Sequence, residues 1–133
     1  MGTYYWEAEH GSLRAVQILP LLPPDYTGES PGAEIAVSPR GRFVYCSNRG
    51  HDSISIFSTD PNTGVLSSIG WEPSRGRVPR FIGFDPSKQF LYSANEQGDT
   101  VVCWRGDAAT GRLTPASQPV RNASPVVIAF ATL

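Results

Sequence analysis

Shifted by 47 residues, segment 37–66 lies over 84–113 without a gap. The coincidences fall where structure would demand them. Pro39 meets Pro86, Phe43 meets Phe90, Tyr45 meets Tyr92, Asn48 meets Asn95 and Asp52 meets Asp99. Farther on, Phe57 meets Trp104, Asp60 meets Asp107, Gly64 meets Gly111 and Leu66 meets Leu113. A structural repeat buries its apolar face only by stacking on its neighbours, so the repeat governs the fold before local propensity does. A period of about 45 residues with room for four short strands is that of a β-propeller blade.

The second unit reads strand by strand. Residues 80–84 form a first strand, closed by a turn at Asp85, Pro86, Ser87 and Lys88 with proline in its second position. Residues 89–94 form the second strand and 100–105 the third, which is rich in β-branched and aromatic side chains. A hairpin loop runs from Asp107 to Gly111, with glycine at the left-handed position, and 112–118 make a polar outer strand. The first unit follows the same plan from Ala33 to Glu72. Helical periodicity is absent throughout.

The flanks extend the pattern. Residues 3–7 and 12–18 read as the third and fourth strands of an earlier blade, with Gly11 and Leu13 echoing Gly64 and Leu66. Between them and the first full unit, 19–31 is a proline-rich ordered loop in which Leu19, Leu21, Leu22 and Tyr26 pack. At the other end, 125–130 repeats 79–84 as the first strand of a further blade. The expected fold is therefore all-β: four-stranded antiparallel propeller blades, about two complete, with partial blades at both ends. Its divisions are a partial blade at 1–18, a connector at 19–32, blades at 33–78 and 79–123, and a single strand at 124–133. Propellers close with about 4–8 blades, so a chain of this length leaves edges open and self-association is expected to complete the ring.

Composition narrows the partners. The net charge is −1 with 17% charged residues, which offers no polyanion-binding surface and no expectation of nucleic acid. Of the eleven basic residues ten are arginine, and the exception is Lys88. Arginine suits fork-like recognition of carboxylate or phosphate, although a genome-wide codon bias is the plainer account of the count. Cys46 and Cys103 each lie in an apolar run without metal-ligand spacing, as buried thiols of a reducing compartment would. With no signal-like N-terminus and no apolar run of membrane-spanning length, a cytoplasmic location and no membrane partner are expected. Nucleophile elbows, phosphate loops and metal-binding clusters are not found in the sequence.

Four stretches carry a family resemblance. Leu22-Pro-Pro-Asp-Tyr-Thr-Gly28 is a connector, the segment from Glu34 to Ile54 includes Ser47-Asn-Arg-Gly50, Pro79 to Asn95 forms the next blade, and 124–133 is a terminal strand. Together they resemble the C-terminal third of the lactonase family of seven-bladed propellers, which includes 6-phosphogluconolactonase-like and carboxy-muconate lactonizing enzyme-like proteins. The resemblance implies cofactor-free hydrolysis of a small-molecule lactone or sugar phosphate in carbohydrate metabolism. The alternative is a non-catalytic truncated propeller acting as an assembly or binding scaffold, because fold alone does not fix function.

In a blade, the loops joining strands two and three share an end with the loops entering strand one. That gathers 48–52, Glu96, Gln97 and 77–80 around one mouth, with Glu34 on an inner strand beside the channel. The candidate catalytic residues are Arg49, His51 and Glu34. Arginine would bind the substrate's anionic group and steady the developing oxyanion, while His51 or Glu34 activates water. The candidate substrate-binding residues are Arg80, Asn48 and Glu96. The resemblance points most strongly to Arg49, whose counterpart one blade later is Glu96, so it does not recur. Asn48 and Asp52 do recur, which favours turn bracing. An exposed loop accounts for His51, a solvated channel for Glu34, and an ion pair with Glu34 or another acid for Arg80.

Overall fold

Strand pairing follows the repeat. The computed structural model describes residues 1–131. A hairpin comes first, β1 (Gly2–Glu7) with β2 (Ser12–Ile18). The next four strands pair in chain order as one antiparallel sheet: β3 (Gly32–Val37), β4 (Phe43–Asn48), β5 (Ser53–Thr59) and β6 (Leu66–Pro73). The second sheet repeats this with β7 (Pro79–Phe84), β8 (Phe90–Asn95), β9 (Thr100–Gly106) and β10 (Leu113–Pro115). A short β11 (Val120–Arg121) also pairs with β9. These are two complete blades and the outer half of a third. The only helical element among the described residues is one turn at Glu96–Gly98.

Positive φ angles recur at equivalent places, which shows that the two blades share their turns as well as their strands. Gly41 and Lys88 stand at +69° and +62°, Asp52 and Asp99 at +53° and +51°, and Gly64 and Gly111 at +69° and +73°. Two sequence expectations need correction. The outer strand expected over 112–118 is broken, because Pro115 and Pro119 have no amide to donate and pairing resumes only at Val120. Its sister β6 stays continuous by a bulge beside Gly70, at φ +143°. Segment 125–130 is not a strand, since no later segment among the described residues pairs with it. Phe130 instead packs its ring 5.4 Å from Tyr92. The last two residues of the expected terminal strand, 132–133, lie outside the described residues.

The core lies between the two complete blades. Tyr45, Ile54 and Ile56 of one sheet meet Ile82, Leu91, Val102 and Trp104 of the other. Trp104 is fully buried and donates its indole N–H to Ser93 Oγ at 2.9 Å, which satisfies its polar atom within the core. Val44, Phe57 and Leu66 on the opposite face of the first sheet pack against Met1, Leu19 and Leu21. The covering blade supplies only its outer strands, so Ile35 and Val37 on the inner strand stay 52% and 55% exposed.

Candidate functional site

Antiparallel pairing puts alternate turns at opposite ends of each sheet. The β4–β5 and β8–β9 corners therefore share an end with the segments entering β3 and β7. That end is built the same way twice. The amide of Arg49 donates to the Pro31 carbonyl, and one blade later the Glu96 amide donates to that of Val78. His51 N–H donates to Ser30 Oγ at 3.1 Å, where Gly98 N–H donates to the Arg77 carbonyl at 3.1 Å. The segment 74–78 is thus held between the two corners. Ser74 donates to the Asp52 carbonyl and accepts from Asn95 at its own carbonyl, while Asp52 Oδ1 takes the amide of Val78 at 2.8 Å. The mouth is a rigid frame on which longer side chains are mounted.

The charged groups form two sets. On the first complete blade, Arg49 donates from Nη2 to the Gly32 carbonyl at 3.3 Å, and its Nε is enclosed without a partner. Close by, His51 Nδ1 lies 2.6 Å from Ser53 Oγ, and Tyr26 meets the imidazole edge-on at 4.8 Å. Nε2 is the ring nitrogen left for another partner. On the next blade Arg80 pairs with Glu96 at 3.6 Å, and Arg77 donates to Gln97 Oε1 at 3.4 Å. Arg80 thus takes Glu96 as its acid rather than Glu34. Glu34 is exposed on β3, where its backbone amide donates to Ser47 Oγ. Arg49, His51, Arg80 and Glu96 therefore rim one end of the blades, with Glu34 on the adjoining inner strand.

Asn48 is fully buried, and its Nδ2 donates to Ser53 at 3.1 Å and to Ser55 at 2.7 Å. With no surface open to solvent, it braces the corner instead of touching a ligand directly. Asn95 does the same with Thr100. Sequence reasoning passed over Ser53, although a hydroxyl recurs at Ser53 and Thr100 and carried the signal. Ser30 and the contact of Tyr26 with His51 lie in the non-repeating connector and had none. No group of three or more His, Cys, Asp or Glu among the described residues is placed to hold a metal ion.

Stacked four-stranded blades with a polar mouth define a β-propeller segment. The family model for lactonases, described as 7-bladed β-propellers, matches residues 2–130. The chain belongs to that family. It is 38% identical over 120 residues to 6-phosphogluconolactonase of Bacillus subtilis, covering 90% of this chain and 34% of that protein. Among solved structures, a Lactobacillus plantarum protein superimposes with a TM-score of 0.88 at 26% identity, over 94% of this chain and 36% of that one. The periplasmic gluconolactonase of Pseudomonas aeruginosa does so with a TM-score of 0.84 at 29% identity, over 92% and 34%. The chain spans about a third of the length of these relatives. No helix among the described residues is long and apolar enough to cross a membrane.

Proposed function

We propose that the chain serves lactone hydrolysis of the 6-phosphogluconolactonase type, in a channel completed by self-association. The observation that carries this reading is the convergence of Arg49, His51 and the Arg80–Glu96 pair on one end of blades belonging to the lactonase family. Water adds to the lactone carbonyl carbon as His51 or Glu34 takes its proton. The carbonyl oxygen becomes an oxyanion beside Arg49. The ring C–O bond then breaks, and the released alkoxide takes the proton back from that same base to leave the open-chain hydroxy acid. Arg80, held by Glu96, receives the substrate's phosphate or carboxylate. The reaction needs no cofactor. Two unpaired cysteines support a reducing, cytoplasmic setting.

Hydrolysis of 6-phosphogluconolactone by the purified chain tests the reading. Arg49→Ala should lower kcat about 100-fold, the usual loss for one oxyanion donor, with the circular dichroism unchanged. Turnover that survives Arg49→Ala, His51→Ala and Glu34→Gln would remove these residues from the mechanism. A scaffold without turnover is the second reading, favoured by the fact that the relatives are about three times longer. A folded oligomer that leaves the lactone intact would establish it.

A further inference from the structure

At the end opposite the mouth, the two complete blades part to leave an open cleft of about 290 Å³. One wall is apolar, formed by Phe43 and by the Tyr45–Phe84 pair, whose ring centroids are 6.1 Å apart. The rim carries three cations against one carboxylate. Arg40 and Arg42 come from the β3–β4 turn, Lys88 from the β7–β8 turn, and Asp107 from the β9–β10 loop. None of the three cations has a carboxylate partner, since the ion pairs among the described residues join Arg14 to Glu7 and Arg80 to Glu96. Asp107 is turned toward its own loop, where Oδ1 accepts the amides of Ala109 and Thr110 and the Thr110 hydroxyl. Arg42 bridges the blades by donating to the Ala108 carbonyl at 3.3 Å, with its guanidinium 5.7 Å from the Phe43 ring centroid.

Lys88 supplies an independent observation. It stands at φ +62° in a turn whose counterpart in the sister blade is Gly41, at +69°. A residue with a Cβ is disfavoured there and glycine is not. The chain's single lysine therefore occupies the left-handed position that its repeat gives to glycine, on the rim of the cleft. Strain of this kind is held where the surrounding structure fixes it, and it is concentrated at ligand-binding positions.

We propose that this cleft binds a small aromatic anion, a phosphate or carboxylate carried on a ring. The ring lies against the half-buried Phe84 and the exposed edge of the otherwise buried Phe43, and the anion sits among Arg40, Arg42 and Lys88. Because the cleft is at the far end of the blades from the mouth, the site stands or falls apart from the lactonase reading.

Phenyl phosphate titrated into the purified chain, followed by heteronuclear NMR, tests the proposal. Saturable shifts are expected at the amides of Arg42, Lys88, Gly106 and Ala108 and not at those of His51 and Glu96. Inorganic phosphate should bind about tenfold more weakly, since it gains no ring burial. Lys88→Gly relaxes the turn, so its melting temperature should hold or rise while phenyl phosphate affinity falls about fivefold. Shifts that do not saturate, equal affinity for inorganic phosphate, or unchanged affinity in both Lys88→Gly and Arg42→Gln would each overturn the site. Loss of binding in Lys88→Gly cannot be ascribed to unfolding when the melting temperature is maintained.

Discussion

Asp52 accepts the amides of Gly50 and Val78 on one carboxylate oxygen while standing at φ +53°, and Asp99 accepts the amide of Ser124 at φ +51°. Asp52 thus closes its own corner, and each aspartate ties its corner to the segment entering the next blade. An aspartate tolerates the left-handed conformation better than alanine does, and its oxygen satisfies donors that glycine would leave open. Urea denaturation should rank Asp52→Asn as mildest, Asp52→Gly next and Asp52→Ala worst, the last losing about 1–3 kcal/mol. An equal loss in Asp52→Gly and Asp52→Ala would mean that the hydrogen bonds, and not the backbone angle, decide. At this scale the repeat was the most informative thing in the sequence. It marked Asn48 and Asp52 as recurring, and the first is tied to the hydroxyls of Ser53 and Ser55, the second to backbone amides. It said nothing about which distant side chains meet, so the Arg80–Glu96 pair and the Ser53 hydroxyl against His51 were legible only once the corners were assembled.

The two outer hairpin loops, 60–64 and 107–111, are the same element built twice. In one, the amides of Thr63 and Asn62 and then the Thr63 hydroxyl hold the Asp60 carboxyl below its ordinary value. In the other, the amide and hydroxyl of Thr110 and then the amide of Ala109 do the same for Asp107. A lowered carboxyl stabilises the fold above its unfolded pKa, and that contribution is lost as pH falls through the folded value. The urea midpoint should therefore drop on acidification below about pH 4, and Asp60→Asn with Asp107→Asn should make that acid limb shallower. The alkaline limb has the opposite sign. Burial, then the charge of Asp107, pushes the Tyr45 hydroxyl up to about 12, so its contribution is intact below pH 10.0 and is lost as pH rises through the folded value. Tyr45→Phe should flatten this limb, at a cost of about 1 kcal/mol for the hydrogen bond that the hydroxyl donates to Gly111. These loops were legible because aspartate, threonine and glycine recur at fixed offsets. The break between β10 and β11 was not, although Pro115 and Pro119 were in plain view, because the outermost strand is specified by a single neighbour and tolerates interruption.

Across the whole molecule, each blade face is satisfied only where another blade covers it. The inner strand β3 leaves Ile35 and Val37 more than half exposed, and the hairpin leaves Trp6 and Leu13 at 72% and 66%. These residues lie where neighbouring blade surfaces would stack, and burying them is worth roughly 1.5–3 kcal/mol for each large side chain. Either a second copy of the chain or the remaining length of a longer homologue has the apolar surface to cover them. Light scattering on a sizing column separates the two. A chain completed by its own copies runs as a discrete dimer or trimer, whereas one that needs a different partner runs as a 14.4 kDa monomer or as ill-defined aggregates. Ile35→Asp with Val37→Asp then tests where the copies meet. Both side chains already face solvent, so the isolated blades should keep their circular dichroism, while the discrete oligomer dissociates because two carboxylates would have to be desolvated at the contact. An oligomer indifferent to both substitutions would place its interface elsewhere and leave the channel open. In that case the lactonase reading would lose the closed ring on which it depends.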